Sequence, residues 1–394
     1  MSEPVVIVGA GLGALRTAEV LRKAGYSDGI VIVGDEGHLP YNRPPLSKEA
    51  LAGGIELETL TFRRRESVDD VNWMLANTVT STDLAGRTVT LADGREVMMS
   101  GLVVASGIRP RRLPIPGPTQ GRFFLRTVDD AAVLRDHLRP DSRLVILGSG
   151  FIGCEVAATA SALGCEVDVV AMDTQPMIRP LGQDLGAAMR RHHEARGVRF
   201  HLGRTIIDFR GDERVTAALL DDGTELPADL VLEAIGSMPN TEWLAGNDLD
   251  LSDGVVTDGH LRIVGAPLPA VAVGDVARHP NALFPGSTYR IEHWNMPTEM
   301  AKVAGVTLAS LLGGREPTGE TFRGLPSFWS DQYDYGLQSF GLPGIATEYQ
   351  LADGDYDGDC IVEYLDDSGL VGVVGVNRTA DLTEHRRRLL ERQQ

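Results

Sequence analysis

The sequence predicts an α/β fold: two copies of one β-α-β architecture, followed by a small α+β domain. Three observations predict it. A glycine-rich turn between an apolar strand and a helix occurs twice, beginning at Gly9 and at Gly148. Each copy leads into a strand, an Asp-Gly turn and two further strands, and the same spacing separates Gly94 from Gly107 and Gly223 from Gly236. Beyond Pro326 the composition shifts to aromatics and short strand-like runs.

Taken in order, "VVIV" after Pro4 reads as a strand, and "GAGLGA" as a turn opening a helix to about Lys23. Ile30–Val33 then reads as the second strand of the unit. The arrangement recurs from Arg143: "LVIL", "GSGFIG", a helix through Leu163, then "EVDVV". The segments "TVTLADGREVMMSGLVVASGIRP" and "VTAALLDDGTELPADLVLEAIGSMP" each read as a hairpin plus an apolar strand ending in Gly-x-x-Pro. A further strand, "AVAV", ends in "GDVARH", and a helix is expected from about Thr298 to Leu312. "GGREPTGETFRGLP" reads as a linker, and the closing "ADLTEHRRRLLERQQ" as a polar helix. The expected domains are 1–111 with 237–318, then 112–236, then 319–394.

Lys and Arg number 37 against 55 Asp and Glu, a net charge of −18, which argues against nucleic acid or anionic lipid as the main partner. Arginines cluster at Arg63–Arg65, at Arg109 with Arg111 and Arg112, and at Arg386–Arg388. Such runs read as solvated surface, or as a local patch that steers an acidic partner. Three cysteines (Cys154, Cys165, Cys360) with no Cys-x-x-Cys do not make a disulfide framework, and a reducing cytoplasm suits them. "MSEPVVIVGAG" has no basic leader before its strand, and no apolar run approaches the ~20 residues of a membrane span.

The two turns carry a specific chemistry. In Gly9-x-Gly11-x-x-Ala14, with Gly13 also small, the first glycine permits the tight turn and the second lets backbone approach a pyrophosphate. The third small residue lets helix and strand pack closely, and the anion rests on the helix N-terminus. Asp35 or Glu36 falls where an acid would hold ribose hydroxyls. Gly148-Ser149-Gly150-Phe151-Ile152-Gly153 repeats the pattern. There Ala171 occupies the usual acid position, Asp173 follows it, and no Arg stands beside Asp173 in sequence to grip a 2′-phosphate. This favours NADH over NADPH. Two such turns make two Rossmann-like dinucleotide-binding domains, and FAD with NADH is the pair that chemistry suggests.

Further motifs, "YNRPPLSK" (41–48), "FLRT", "GSGFIGCEVAATA", "AVGDVA", "RIEHW" and "FWSDQY", occur along the whole chain. In content and order they resemble the FAD-dependent ferredoxin and rubredoxin reductases that serve oxygenases, within the glutathione-reductase-like two-dinucleotide flavoprotein superfamily. The resemblance implies roles. Arg43 and Lys48 would lie near the flavin, Lys48 at its reactive edge. Val79 would meet the adenine through its backbone. Ala105, Ser106, Gly107, Arg126 and Gly274 would also line the FAD. Asp275 would bind the ribityl chain, with the following helix aimed at the cofactor, and Trp294 would lie along the ring. Glu155 would approach the nicotinamide, with Gly236 and Glu292 on the same NAD side, and Trp329 would close the flavin's far side. The residues alone leave Trp294 and Trp329 open as core aromatics and Glu155 as a helix-surface acid.

Electrons would then pass from NADH through FAD to a small acidic ferredoxin serving a cytochrome P450 or a Rieske dioxygenase. The alternatives are a rubredoxin partner, or an NADH-sensing flavoprotein of the apoptosis-inducing-factor-like branch; a monomer or a homodimer suits any of these. No cysteine precedes Cys154, so the thiol relay of the superfamily's disulfide reductases is missing. "DGDYDG" (353–358) opens like a calcium loop, but Tyr364 stands where a bidentate Glu is needed. His192, His193 and His201 lack ligand spacing, and Ser149 lacks the Gly-x-Ser-x-Gly context of a nucleophile. No metal site is expected.

Overall fold

The computed structural model describes residues 3–54 and 56–392. Two five-stranded parallel sheets dominate it. In the first, the order is Ala270–Ala272, Gly101–Val104, Val5–Val8, Ile30–Val33, Asn72–Met74. In the second it is Arg199–Leu202, Glu166–Ala171, Arg143–Leu147, Leu230–Glu233, Arg122–Phe123. The central strands are buried along their length, as strands covered on both faces must be. Each sheet carries its own three-stranded antiparallel meander: Val79–Asp83, Thr88–Leu91 and Glu96–Met98 in the first copy, Ile206–Arg210, Ala217–Leu220 and Glu225–Pro227 in the second. The repeat read in the sequence is therefore a repeat in space.

The copies meet where each apolar strand exits. Ile108–Pro110 pairs antiparallel with Ser237–Pro239, so the two Gly-x-x-Pro exits form one two-stranded bridge. Asn240 fastens it: its side chain donates to the Ser106 carbonyl at 2.9 Å, and its own carbonyl accepts from the Ser106 hydroxyl at 2.7 Å.

The C-terminal unit is a five-stranded antiparallel sheet, order Ser327–Gln332, Tyr335–Gly341, Gly369–Val376, Cys360–Asp366, Glu348–Gly354, with the helix Thr383–Leu390 packed against it. Gln393 and Gln394 of the expected terminal helix lie outside the described residues. The segment from Gly313 to Pro326 is more than a linker. Phe322 is buried at 2% exposure, donates its amide to the Gly259 carbonyl and accepts the Ala282 amide. The calcium-like "DGDYDG" belongs to a hairpin, and its Asp353 pairs with Arg378. No cluster able to hold a metal occurs among the described residues, and no helix among them is long and apolar enough to cross a membrane.

Several elements escape the sequence reading, three of them informative. A helix at Val128–His137 starts in a capping box between Thr127 and Asp130. A long helix, Ile178–Glu194, is broken at Gly182, whose left-handed φ of 77° interrupts the helical pattern beside Pro180. After Asp275 the chain enters a hairpin, Ala277–Asn281 with Phe284–Tyr289, rather than a helix. The helix that follows begins only at Met296; its Pro297 packs near Gly13 and Gly274, so its N-terminus does reach the first glycine turn.

Candidate active site

The two glycine turns have the same geometry. Gly9 and Gly148 hold φ of 106° and 107°, and a Cβ on either would fall about 2 Å from a carbonyl oxygen, of Ala105 and Ala234 respectively. At the second glycines the situation is reversed: a Cβ at Gly11 or Gly150 meets nothing within 4 Å. The helices they open, Leu12–Lys23 and Phe151–Ala162, have no side-chain cap, so no side chain takes up their first-turn amides. Gly13 packs on Val273 and Pro297, Gly153 on the Gly148 carbonyl, and Ala14 is fully buried. A helix N-terminus without a side-chain cap, beside a glycine whose Cβ would meet no neighbour, fits a diphosphate at each turn. Gly34 completes the first turn: a Cβ there would lie 2.4 Å from the Ala10 methyl.

The loop Pro40–Lys48 joins the two copies, bonded to Glu36 at one end and to Glu155 at the other. Tyr41 donates to Glu36 at 2.5 Å, and the Arg43 guanidinium pairs with Glu36 and donates to the Arg126 carbonyl at 2.7 Å. Glu36 is thus committed to the loop, while Asp35 beside it is exposed. Burial pushes the Tyr41 phenol above its usual range, although Arg43 pulls it down. Pro44–Ser47 forms one short 3-10 turn, and its prolines hold the backbone that presents Lys48.

Glu155 gathers three segments. It is 5% exposed, so it is a buried acid and not a helix-surface one. Lys48 Nζ stands 2.9 Å from its Oε1, the Ser47 hydroxyl donates to its Oε2 at 2.5 Å, and the Ser330 hydroxyl donates to its Oε1 at 2.6 Å. Gln332 in turn donates its Nε2 to Ser330 at 2.9 Å, and its Oε1 accepts from His193 Nε2 at 2.7 Å. The proline-rich loop, the second glycine helix and the first strand of the C-terminal unit therefore meet at one carboxylate. A charge this deep needs such partners.

Arg126 pairs with Asp275 at 3.2 Å, next to Gly107 and Gly274, both at positive φ. Burial pushes the Asp275 carboxyl up, Arg126 opposes that, and Glu292 adds to it. Glu292 itself accepts from Ser237 at 2.5 Å, one residue after Gly236, and pairs with Arg290. Trp294 is half-buried and stacks with Phe62, centroids 6.3 Å apart, and Trp329 is 38% exposed, outside the core. Phe151 lies against Phe328, 4.8 Å between centroids, and Ile152 is 41% exposed. Val79 is buried at the head of the first meander, and Asp173 is exposed beyond Ala171.

Ser47, Ser330, Gln332, Asn240, Gly34 and Tyr41 were not singled out from the sequence. The signal for two of them was present: on a strand through "SFWSDQ", alternation puts Phe328, Ser330 and Gln332 on the buried face and Trp329 on the other. The three cysteines are buried and free, and burial pushes the Cys154 thiol far above its usual range and Cys360 up to about 11.

Comparison with known proteins finds relatives along nearly the whole chain. The family model for pyridine nucleotide-disulphide oxidoreductases matches residues 3–301, and the reductase C-terminal model matches 327–394. Putidaredoxin reductase CamA of Pseudomonas putida is 34% identical, over 99% of this chain and 92% of its own length. The ferredoxin–NAD(+) reductase component of the anthranilate 1,2-dioxygenase system of Burkholderia cepacia is 35% identical, over 98% and 94%. Among solved structures, the covalent putidaredoxin reductase–putidaredoxin complex superposes with a TM-score of 0.90 at 33% identity, covering 99% of this chain and 94% of that one.

Proposed function

The chain belongs to the pyridine nucleotide-disulphide oxidoreductase family, and from that premise we propose that it is an FAD-dependent ferredoxin reductase, taking electrons from NADH and delivering them to a small iron–sulfur protein that serves an oxygenase. The observation that carries the reading is the buried Lys48–Glu155 pair, in a chain with two matching glycine turns whose cysteines are buried and unpaired. A disulfide reductase of the same family needs an accessible thiol pair; this chain offers a cation and a carboxylate in its place.

FAD, when bound, supplies two-electron uptake and one-electron release. The remaining roles fall to the protein. Gly9, Gly11, Gly13 and Ala14 leave room for its diphosphate, and Asp35 is the acid free for its ribose. Asp275 and Arg126, with Gly274 and the 105–107 turn, line its middle, and Val79 meets the adenine end. Arg43 and Lys48 supply positive charge, and Trp294 and Trp329 flank the ring. Gly148, Gly150 and Gly153, with Phe151, Ile152, Gly236 and Glu292, form the NADH side, with Asp173 at its ribose. Lys48 orients on Glu155 and presents its ammonium where negative charge develops during reduction, which lowers the barrier without any proton relay through cysteine. We assign 1–111 with 237–318 to FAD, 112–236 to NADH and 319–394 to closing the site and receiving the partner, in a cytoplasmic setting that keeps the cysteines reduced.

The test is an anaerobic assay of the purified yellow protein with NADH or NADPH against a panel of ferredoxins and rubredoxins. Fast reduction of a ferredoxin with NADH is expected. Turnover of rubredoxins alone, or a long-lived reduced complex that reduces neither carrier, would overturn the reading.

A further inference from the structure

The Glu155 carboxylate is bonded from two sides that belong to different parts of the chain. Ser47 and Lys48 reach it from the proline-rich loop, and Ser330 reaches it from the first strand of the C-terminal unit. Behind Ser330 the bonding continues inward. Alternation along Ser327–Gln332 puts Ser330 and Gln332 on one face, and both are fully buried, as is His193. Gln332 Nε2 donates to Ser330 Oγ at 2.9 Å and to Met177 Sδ at 3.6 Å, while its Oε1 takes His193 Nε2 at 2.7 Å. His193 lies on the helix Ile178–Glu194 of the second copy. Met177 stands at the N-cap of that helix, and its amide donates to the Ser149 carbonyl of the second glycine turn at 2.9 Å.

The direction of every bond in this chain follows from its last member. A carboxylate paired with Lys48 only accepts, so Ser330 spends its one proton on Glu155. Ser330 must then accept from Gln332, which turns its amide nitrogen to Ser330 and its oxygen to His193. His193 donates from Nε2 in turn, and its Nδ1, which has no partner, is left as a bare lone pair and not as a stranded N–H. Burial pushes the imidazole down to about 4, in keeping with one proton on the ring. All three links donate toward Glu155, and none of them has a second arrangement that keeps every donor satisfied.

Resting on the reading of Lys48 and Glu155 as the pair that serves flavin reduction, we propose that Ser330 and Gln332 are positioning residues for that step, holding the Glu155 carboxylate and, through it, the Lys48 ammonium. Without Ser330, both remaining partners of Glu155 sit in one loop, and the carboxylate follows that loop. With it, the carboxylate is tied through Gln332 to His193 and Met177, in the body of the second copy. A small displacement of a group that faces the reacting atoms costs rate steeply, and buried hydrogen bonds behind it are what prevent the displacement. The first strand of the C-terminal unit therefore has two uses. Its outer face carries Trp329, and its inner face supports the NADH half of the reaction.

The experiment is stopped-flow bleaching of the FAD-loaded protein over a range of NADH concentrations. Ser330→Ala should lower the limiting rate about tenfold, with the half-saturating NADH concentration changed less than about twofold. Gln332→Leu, of similar volume, should lower the limiting rate about three- to fivefold. Added to Ser330→Ala it should lower the rate no further, because Gln332 reaches Glu155 only through Ser330. A wild-type rate in either single variant, losses that multiply in the double variant, or a loss confined to NADH affinity would overturn the inference while leaving the Lys48–Glu155 pair in place. Gln332→Leu decides the same point by itself should Ser330→Ala not fold. Wild-type flavin that NADH does not bleach would instead overturn the reading of the site, and the inference with it.

Discussion

Lys48 reaches Glu155 from the proline-rich loop, while Ser47 and Ser330 take the other lone pairs of that carboxylate. Lys48→Met therefore leaves Glu155 with two hydroxyl donors, and the cost in folding is held to about 1–3 kcal/mol. The rate of NADH-driven flavin bleaching should fall by at least about tenfold, because the charge that meets the developing anion is gone. Stopped-flow absorbance beside urea denaturation separates the two effects; bleaching at the wild-type rate would remove Lys48 from the mechanism. A second residue carries a pH dependence. His193 is fully buried, its Nδ1 has no partner, and burial pushes its imidazole down to about 4. Between about pH 6.5 and 4 the unfolded chain binds a proton there that the folded chain does not, so stability falls as pH falls. The loss from this residue between pH 7 and 5 should be about 1–2 kcal/mol. Urea midpoints for wild type and His193→Gln at the two pH values check it: the variant should lose less on acidification, and equal losses would count against the assignment. Neither contact of Glu155 was legible as spacing, since Ser47, Glu155 and Ser330 are far apart in the chain. Only the motif resemblance placed Lys48 and Glu155 near one another's work, and it did not extend to the two serines.

The glycine turns were legible because they are contiguous: each strand, turn and helix is written in one short stretch, and the turn's function follows from backbone geometry alone. The same geometry separates folding from binding. Gly11→Val should fold with a Tm near that of wild type, because its Cβ meets nothing and its backbone is extended (φ −90°), yet the purified protein should lack flavin. Gly9→Ala should destabilise the fold itself, by at least about 2 kcal/mol, since its Cβ collides with the Ala105 carbonyl at a positive φ. Gly150→Val should keep the flavin and lose NADH. Absorbance ratios at the flavin and protein bands, with thermal melts, read all three; a flavin-loaded Gly11→Val would contradict the placement of the diphosphate. Elements with conflicting local signals were the illegible ones. Pro180 and Gly182 hid the helix Ile178–Glu194, and Pro280 and Pro285 hid the hairpin after Asp275, where edge strands tolerate them.

Across the whole molecule, the repeat predicted two similar sheets, and the antiparallel bridge between their exits brings both turns toward one loop. The composition said less about docking. The arginine clusters suggested a basic face, but much of their charge is spent internally: Arg65 faces Glu19, Arg109 faces Glu242, Arg112 faces Glu233, Arg387 faces Glu384 and Glu391, and Arg388 faces Glu363. Those pairings depend on which loops fold together, which no run of arginines reveals. With a net charge of −18 and more than half of the clustered arginines in ion pairs, steering of an acidic carrier should be weak. We expect kcat/KM for the ferredoxin to change less than about threefold between 50 and 300 mM salt; a steep fall would restore the basic face. The central claim is the passage of electrons from NADH through this chain's flavin to a ferredoxin. One anaerobic titration tests it most directly: the flavin bands of the purified protein should bleach on addition of NADH and return when oxidised ferredoxin follows, in step with its reduction. Flavin bands that do not bleach with NADH, or that stay bleached in the presence of every ferredoxin offered, would contradict it.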